Sequence, residues 1–258
     1  MKIYVLVKEV PDTYGDRKLD LETGLADRAA GEVVLDEITE RALEVALSYA
    51  DKNPGTEVVS LSMSPESATA SVRRSLAIGA AAAVHVVDEE LRGADLTLTA
   101  EVLSAAIRRG EPDLVITGNL STDGSGGVIP AMLAEHLGYA QATALSAVEI
   151  GDGQLTGTRT GDAGTQEVTV PLPAVISITE ALPDARFPNF KGIMAAKKKP
   201  LEVLSLADLG VSADPAAAPR TIMTTVSEKP PRAAGVKITD EGDAAAQLVE
   251  FLAQNRLV

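Results

Sequence analysis

One stretch of this 258-residue chain has residue types suited to holding a ligand: Gly118-Asn119-Leu120-Ser121-Thr122-Asp123-Gly124-Ser125-Gly126-Gly127. Glycines let backbone N–H groups approach a bound group closely, and a helix beginning near Val128 would turn the positive end of its dipole toward an anion. The stretch is neither the Gly-x-Gly-x-x-Gly dinucleotide fingerprint nor a phosphate loop, which requires a terminal Lys-Ser/Thr pair. Taken alone, it also fits a glycine-rich turn that binds nothing.

A second stretch runs from Arg186 to Pro200, reading RFPNFKGIMAAKKKP. It sets Lys191, Lys197, Lys198 and Lys199 in an acidic chain, with Phe187 and Phe190, two of its three phenylalanines. One reading is a solvated loop leading into a strand at Leu201 to Leu204. The other is a docking segment, in which Phe187, Phe190, Ile193 and Met194 supply an apolar anchor and Arg186 and the lysines a charged rim.

Catalytic constellations are missing. His85 lies within a strand, where a packed imidazole is the simpler reading, and His136 lies near a helix end, where it complements the dipole. Asp12, Asp36 and Asp123 could converge on one crevice, although each could equally cap or turn the chain. There is no cysteine, so disulfides, thiolate catalysis and cysteine-held iron or zinc are excluded. Any redox role must belong to a bound cofactor. A net charge of −14 and an aromatic content of 3 % oppose binding to a phosphate backbone or stacking on nucleobases, so no nucleic-acid partner is expected. No segment has the length or apolarity of a signal peptide or membrane span, and a cytoplasmic protein is expected.

The elements that would position these residues follow from hydrophobic patterning. Ile3 to Val7 is a continuous, β-branched run suited to a strand buried on both faces. Leu35 to Ala50 carries a helical stripe of Leu35, Ile38, Ala42, Val45, Ala46 and Tyr49. A strand follows at Glu57 to Met63, then a helix with Ser64 as N-cap and Pro65 at its first position, ending at Ile78-Gly79. Strands at Ala83 to Val87 and Asp113 to Gly118 bracket a helix from Asp95 to Arg109, and a further helix covers Val128 to Leu137. Strand–helix alternation implies an α/β fold with a doubly wound, mostly parallel sheet. If the order is 3-2-1-4-5, the loops after Val7 and Thr117 face each other across the crevice where ligands bind in such sheets. Past Gly138, short segments at Val148 to Ile150, Gln154 to Thr160, Glu167 to Val170 and Ala174 to Ile178 predict an antiparallel extension. With 45 % hydrophobic residues, residues 1–210 suffice for one nucleotide-binding domain.

Residues 211–258 read as an arm. Ser212 to Pro219 and Lys229-Pro230-Pro231 are linker-like. A terminal helix is expected over Asp240 to Arg256, with Thr239 as N-cap and Leu248, Phe251 and Leu252 as its apolar stripe. A short helix needs a surface to dock on, either its own domain or a partner subunit.

Several of these residues carry a family resemblance. The opening Val5-Leu6-Val7-Lys8-Glu9-Val10-Pro11-Asp12 resembles that of electron transfer flavoprotein β-subunits. So do Leu35-Asp36-Glu37, Leu76-Ala77-Ile78-Gly79-Ala80, Leu172-Pro173-Ala174-Val175, Gly192 to Lys199 and Asp208-Leu209-Gly210, in order along the chain. The resemblance implies an adenine-nucleotide α-hydrolase-like fold and an electron-carrier subunit with no catalytic residues of its own. It further implies a heterodimer with an α-subunit that carries FAD, and a structural AMP in this chain. The candidate nucleotide contacts are Leu6, Val7, Lys8, Asp36, Glu37, Ile38, Thr39, Met63, Gly118, Asn119, Ser121, Thr122, Asp123, Gly124, Ser125, Gly126, Gly127 and Val128. Phe187 to Met194 would recognise flavin dehydrogenases such as acyl-CoA dehydrogenases, electrons would pass to a membrane-bound quinone-reducing acceptor, and the arm would wrap the α-subunit. Gly126, Gly127 and Val128 stand where conventional members have polar side chains that supply phosphate contacts. Asp123-Gly124 partly resembles the loop of flavin-bifurcating relatives, which hold a second FAD in place of AMP. Two rivals share the sheet topology. A universal-stress-like module leaves the lysine island and the tail unexplained. An adenylating hydrolase needs a Ser-Gly-Gly-x-Asp-Ser loop where this chain has Lys8 to Thr13.

Overall fold

The computed structural model describes the chain apart from residues 16, 215, 217–220 and 233. It comprises two compact units, Met1–Thr224 and Thr225–Val258. In the first, β1 (Lys2–Leu6), β2 (Glu9–Pro11) and β3 (Val33–Leu35) precede α1 (Glu37–Lys52), β4 (Glu57–Met63), α2 (Thr69–Ile78) and β5 (Ala82–Val86). Next come α3 (Leu96–Gly110), β6 (Leu114–Gly118), α4 (Ile129–Leu137), β7 (Ala140–Ile150), β8 (Gln154–Gly161), β9 (Gly164–Pro171) and β10 (Ala174–Ile178). The unit continues through α5 (Phe190–Ala196), β11 (Leu201–Leu204) and α6 (Leu206–Leu209).

Nine strands form one sheet in the order β11-β5-β4-β1-β6-β10-β7-β8-β9, while β2 and β3 pair separately. Strands β4 and β6 flank β1 on either side, both parallel to it. The order therefore reverses at β1, as the pattern predicts. Side chains alternate across each strand. Ile3, Val5, Leu114 and Ile116 pack against Leu43 of α1 and Leu76 of α2. Tyr4, Leu61, Val84 and Val115 pack against Leu103 of α3 and Leu133 of α4. Helices cover both faces, so the central strands have no polar side to display, and each fully buried Leu or Ile contributes about 1.5–3 kcal/mol.

Four expectations are corrected. Ala174 to Ile178 is not part of the antiparallel extension, because β10 lies parallel between β6 and β7. The extension is β7-β8-β9, and β7 starts eight residues before Val148; its first half pairs with β10 and its second half with β8. Leu35 ends β3 instead of opening the helix, and Asp36 takes the N-cap position of α1. Ser64 caps nothing: its hydroxyl meets His85 Nε2 at 2.9 Å, and a 3₁₀ turn at Glu66–Ala68 precedes α2.

The second unit contains α7 (Ala244–Gln254), N-capped by Asp243, so Thr239 is not the cap and the helix starts four residues after Asp240. Leu248 and Phe251 are exposed on it. Lys229-Pro230-Pro231 carries neither helix nor strand. The linker expected at Ser212 to Pro219 falls partly outside the described residues.

Candidate functional site

The carboxyl ends of β4, β1 and β6 bring the first group of candidate residues together. Leu6 ends β1 with Val7 and Lys8 just beyond it, Met63 ends β4, and Gly118 ends β6. Asp36, Glu37, Ile38 and Thr39 form the cap and first turn of α1, where the Thr39 hydroxyl donates to the Asp36 carbonyl at 2.7 Å. Gly118 lets this turn close on β6, because a Cβ there would stand 2.8 Å from Ile38 Cγ2. Leu6, Val7, Ile38 and Thr39 are buried and Glu37 is exposed.

The loop from Asn119 to Val128 crosses the crevice and is tied down at several points. The Asn119 amide donates to the Ile178 carbonyl at 2.8 Å, and the Ser125 amide to the Ser121 carbonyl at 2.9 Å. Ser125 and Gly127 adopt φ of +50° and +67°, which explains a glycine at the second. The Thr122 amide donates to Asp36 Oδ2 at 2.9 Å, so the Asp36 side chain ties the loop to the start of α1. Lys8 Nζ donates to Asp123 Oδ1 at 2.7 Å and to Ser121 Oγ at 3.3 Å. Arg28 pairs with Asp123 Oδ2 at 3.6 Å, and the Gly124 amide donates to Asp123 Oδ1 at 2.6 Å. Arg17 reaches the Thr122 carbonyl. Leu96, Leu120 and Val128 add exposed apolar surface near the loop.

The two carboxylates differ in electrostatics. Burial raises the Asp36 carboxyl above the usual carboxylate range, despite the amides of Thr122 and Ile38 and the Thr122 hydroxyl, and the Asp123 charge adds to the rise. Burial also pushes Asp123 up, but the Lys8 ammonium, the Ser121 hydroxyl and the Gly124 amide outweigh it and hold the group low. Asp36 is 1 % exposed; its Oδ1 and the neighbouring Thr122 Oγ1 are buried and make no close, well-aligned hydrogen bond, although the Thr122 hydroxyl and the Ile38 amide both act on the carboxylate. Such atoms call for an explanation, and a bound polar group is one. The crevice thus gathers a buried carboxylate, two cations and a run of backbone amides, groups whose chemistry suits hydroxyl or amine donors on one side and an anion on the other.

Asp12 does not join this group, since its carboxylate accepts from the Tyr14 amide at 3.0 Å as a turn former. Arg28 and Arg17 were not legible as site residues. They lie in the excursion between β2 and β3, carry no motif, and reach the crevice only because those strands pair and fold the excursion back. His85 is a core residue that desolvation keeps below the usual imidazole range. Among the described residues no group of His, Asp and Glu could hold a metal, and no helix is long and apolar enough to cross a membrane. A groove of about 610 Å³ beside Val45, Tyr49, Val148 and Ile150 contains none of the crevice residues.

The second candidate segment is held at both ends. The Arg186 guanidinium makes two 2.8 Å bonds to Glu44 and one of 2.9 Å to Asp51, and these carboxylates raise its pKa further. Lys199 Nζ donates to the carbonyls of Leu76, Gly79 and Ala80 at 2.8, 3.4 and 2.6 Å, closing the end of α2. Between these anchors α5 packs on α2, with Gly192 so close that a Cβ would lie 2.6 Å from the Ala77 carbonyl. Asn189 caps α5 by accepting from the Gly192 amide. Phe187 and Phe190 are 90 % and 80 % exposed, Ile193 and Met194 about half, and Lys191, Lys197 and Lys198 are exposed. Arg186 and Lys199 are thus spent inside the chain, while Phe187, Phe190, Lys191, Ile193, Met194, Lys197 and Lys198 between them are displayed.

A doubly wound α/β protein with a backbone-lined crevice at the reversal of strand order is the class that this geometry defines. The electron transfer flavoprotein domain model matches residues 23–209. An electron transfer flavoprotein subunit beta from Mycobacterium tuberculosis strain H37Rv is 45 % identical, covering 99 % of each chain. The Bacillus subtilis strain 168 protein of the same name is 30 % identical over 98 % of this chain and 96 % of its own. The caffeyl-CoA reductase-Etf complex subunit CarD of Acetobacterium woodii is 31 % identical over the whole of both. The chain belongs to the electron transfer flavoprotein family, on its β-subunit branch.

Proposed function

We propose that this chain is the β-subunit of a heterodimeric carrier and holds an adenine nucleotide, AMP, in the crevice between β1 and β6. The observation that supports the reading is the buried Asp36 carboxylate, bonded through Oδ2 to the Thr122 amide of a glycine-rich loop whose next residue, Asp123, gathers Lys8 and Arg28. Asp36 would accept from the nucleoside, and Lys8, Arg28 and the loop amides would hold the phosphate. The AMP is structural, tying α1 to the loop that precedes α4. The FAD of an α-subunit partner supplies the redox chemistry. This chain braces that subunit, presents Phe187 to Met194 to flavin dehydrogenases such as acyl-CoA dehydrogenases, and so directs electrons toward a membrane-bound quinone-reducing acceptor. The exposed Phe187 and Phe190 on a segment anchored at both ends support the docking role, since a preorganised apolar anchor loses little entropy on binding.

A second reading puts FAD in this crevice; the Asp123-Gly124 loop favours it. The deciding measurement is to denature the heterodimer and quantify the released nucleotides. One FAD and one AMP supports the first reading, two FAD and no AMP the second, and one FAD alone removes both.

A further inference from the structure

The chain that leads into the displayed phenylalanines has no regular structure of its own, since Pro183 to Asn189 carries neither helix nor strand. A stripe of side chains on the outer face of α1 ties it down instead. Arg41 reaches the Leu182 carbonyl and the Asp184 carboxylate. Glu44 accepts from the Arg186 main-chain amide at 3.0 Å and from its guanidinium in two bonds of 2.8 Å. The Ser48 hydroxyl donates to Glu44 Oε1 at 2.8 Å, and Asp51 takes a further bond from the guanidinium at 2.9 Å. Residues 41, 44, 48 and 51 stand three or four apart, the spacing that lines up one helix face. Glu44 is the centre of the stripe. Its side chain is 14 % exposed against 60 % for Asp51, and it bonds to the main chain of residue 186 as well as to the side chain. Resting on the docking reading above, we infer that Glu44 is a positioning residue for dehydrogenase association, acting through Arg186 to fix where the chain enters the Phe187–Met194 segment.

An exposed ion pair would hold little in place. This one differs in geometry: the carboxylate grips the planar guanidinium with both oxygens and adds the amide, which fixes orientation as well as distance. Its base is rigid, because the opposite face of α1 buries Ile38, Ala42, Leu43, Ala46 and Leu47 in the core. The far end of the segment has its own supports in the Asn189 cap and the packing of α5 on α2. Phe187 lies outside α5 and directly follows Arg186, so its placement depends on the Glu44 end. With the tie cut, only a fraction of molecules would show the docking arrangement, and the apparent affinity for a dehydrogenase falls by that fraction. Glu44 itself acts on association alone, so the loss belongs in KM for the carrier and not in kcat.

The test is steady-state reduction of the FAD-loaded heterodimer by an acyl-CoA dehydrogenase, with a redox dye as final acceptor and the heterodimer concentration varied. Glu44→Ala is expected to raise KM for the heterodimer about 10-fold and leave kcat unchanged. Glu44→Gln keeps an acceptor oxygen for the Arg186 amide and Nε, and should recover most of that loss. Arg186→Met removes the same ties from the other side and should match Glu44→Ala, which supplies a second reading should the first variant fail to fold. In a chain already carrying Phe187→Ala and Phe190→Ala there is little left to position, so adding Glu44→Ala should raise KM by less than about threefold. An unchanged KM in Glu44→Ala, a fall in kcat as large as the rise in KM, or the same fold-change with and without the two rings overturns the inference. If removing both rings leaves KM at the wild-type value, the docking reading itself fails and takes the inference with it.

Discussion

Replacing Lys199 by Met should divide the lysine island into two roles. The methionine preserves length and apolar bulk but leaves the carbonyls of Leu76, Gly79 and Ala80 without their donor. Two of those bonds are short, at 2.6 and 2.8 Å, and hydrogen bonds to a charged group are worth about 1.5–3 kcal/mol each. Against this, the variant recovers the desolvation that holds the Lys199 ammonium below the usual lysine range. The balance is a loss of about 2–4 kcal/mol, which at roughly 2–4 °C per kcal/mol lowers Tm by about 5–12 °C. Lys198→Met removes an exposed charge with no such partners, and its Tm should stay within about 1 °C of wild type. The assay is thermal unfolding of the three full-length proteins by circular dichroism at pH 7. A Lys199→Met protein that melts with the wild type, or a Lys198→Met protein that falls as far, would refute the assignment of Lys199 as an internal anchor.

Phe190→Ala should leave Tm unchanged, because the ring is 80 % exposed, yet weaken association with a flavin dehydrogenase by about 2 kcal/mol as a hot spot; unaltered binding in surface plasmon resonance removes the docking role. Glu44 titrates below the ordinary carboxylate range: burial raises it, but the bonds from Arg186 outweigh that. A carboxylate depressed in the folded state contributes stability above its unfolded pKa, about 4.3, and loses it as pH falls through the lower folded value. Wild type should therefore lose more Tm between pH 6 and pH 3 than Arg186→Met, and equal losses would show that the pair contributes nothing. A chain ending at Thr224 should elute apart from the α-subunit in size-exclusion chromatography if the arm clasps it, whereas stoichiometric co-elution counts against the clasp.

Local chemistry was enough to read much of this protein. An apolar run such as Ile3 to Val7 defines a buried strand, since no polar face is left to expose. Helical stripes and stops placed α2, α3 and α4 to within a residue or so of most of their ends, and the glycine spacing after Gly118 marked the loop over the crevice. Other features depended on contacts between residues distant in sequence. Ala174 to Ile178 looks like its antiparallel neighbours because apolar content does not encode strand direction; only its place between β6 and β7 makes it parallel. Lys197, Lys198 and Lys199 are equivalent as a sequence, and the packing of α5 on α2 turns one of them inward to three carbonyls. Arg28 stands 95 residues from Asp123 and has no motif around it, so its ion pair with Asp123 exists only once β2 and β3 have paired. Ser64 had a good capping signal, but the partner that won was His85, 21 residues away on the adjoining strand. Periodicity determines which face of an element is buried; which charged side chains then meet across the crevice is decided by the tertiary fold, because a hydrogen bond needs its partners within about 3 Å and sequence spacing does not measure that distance.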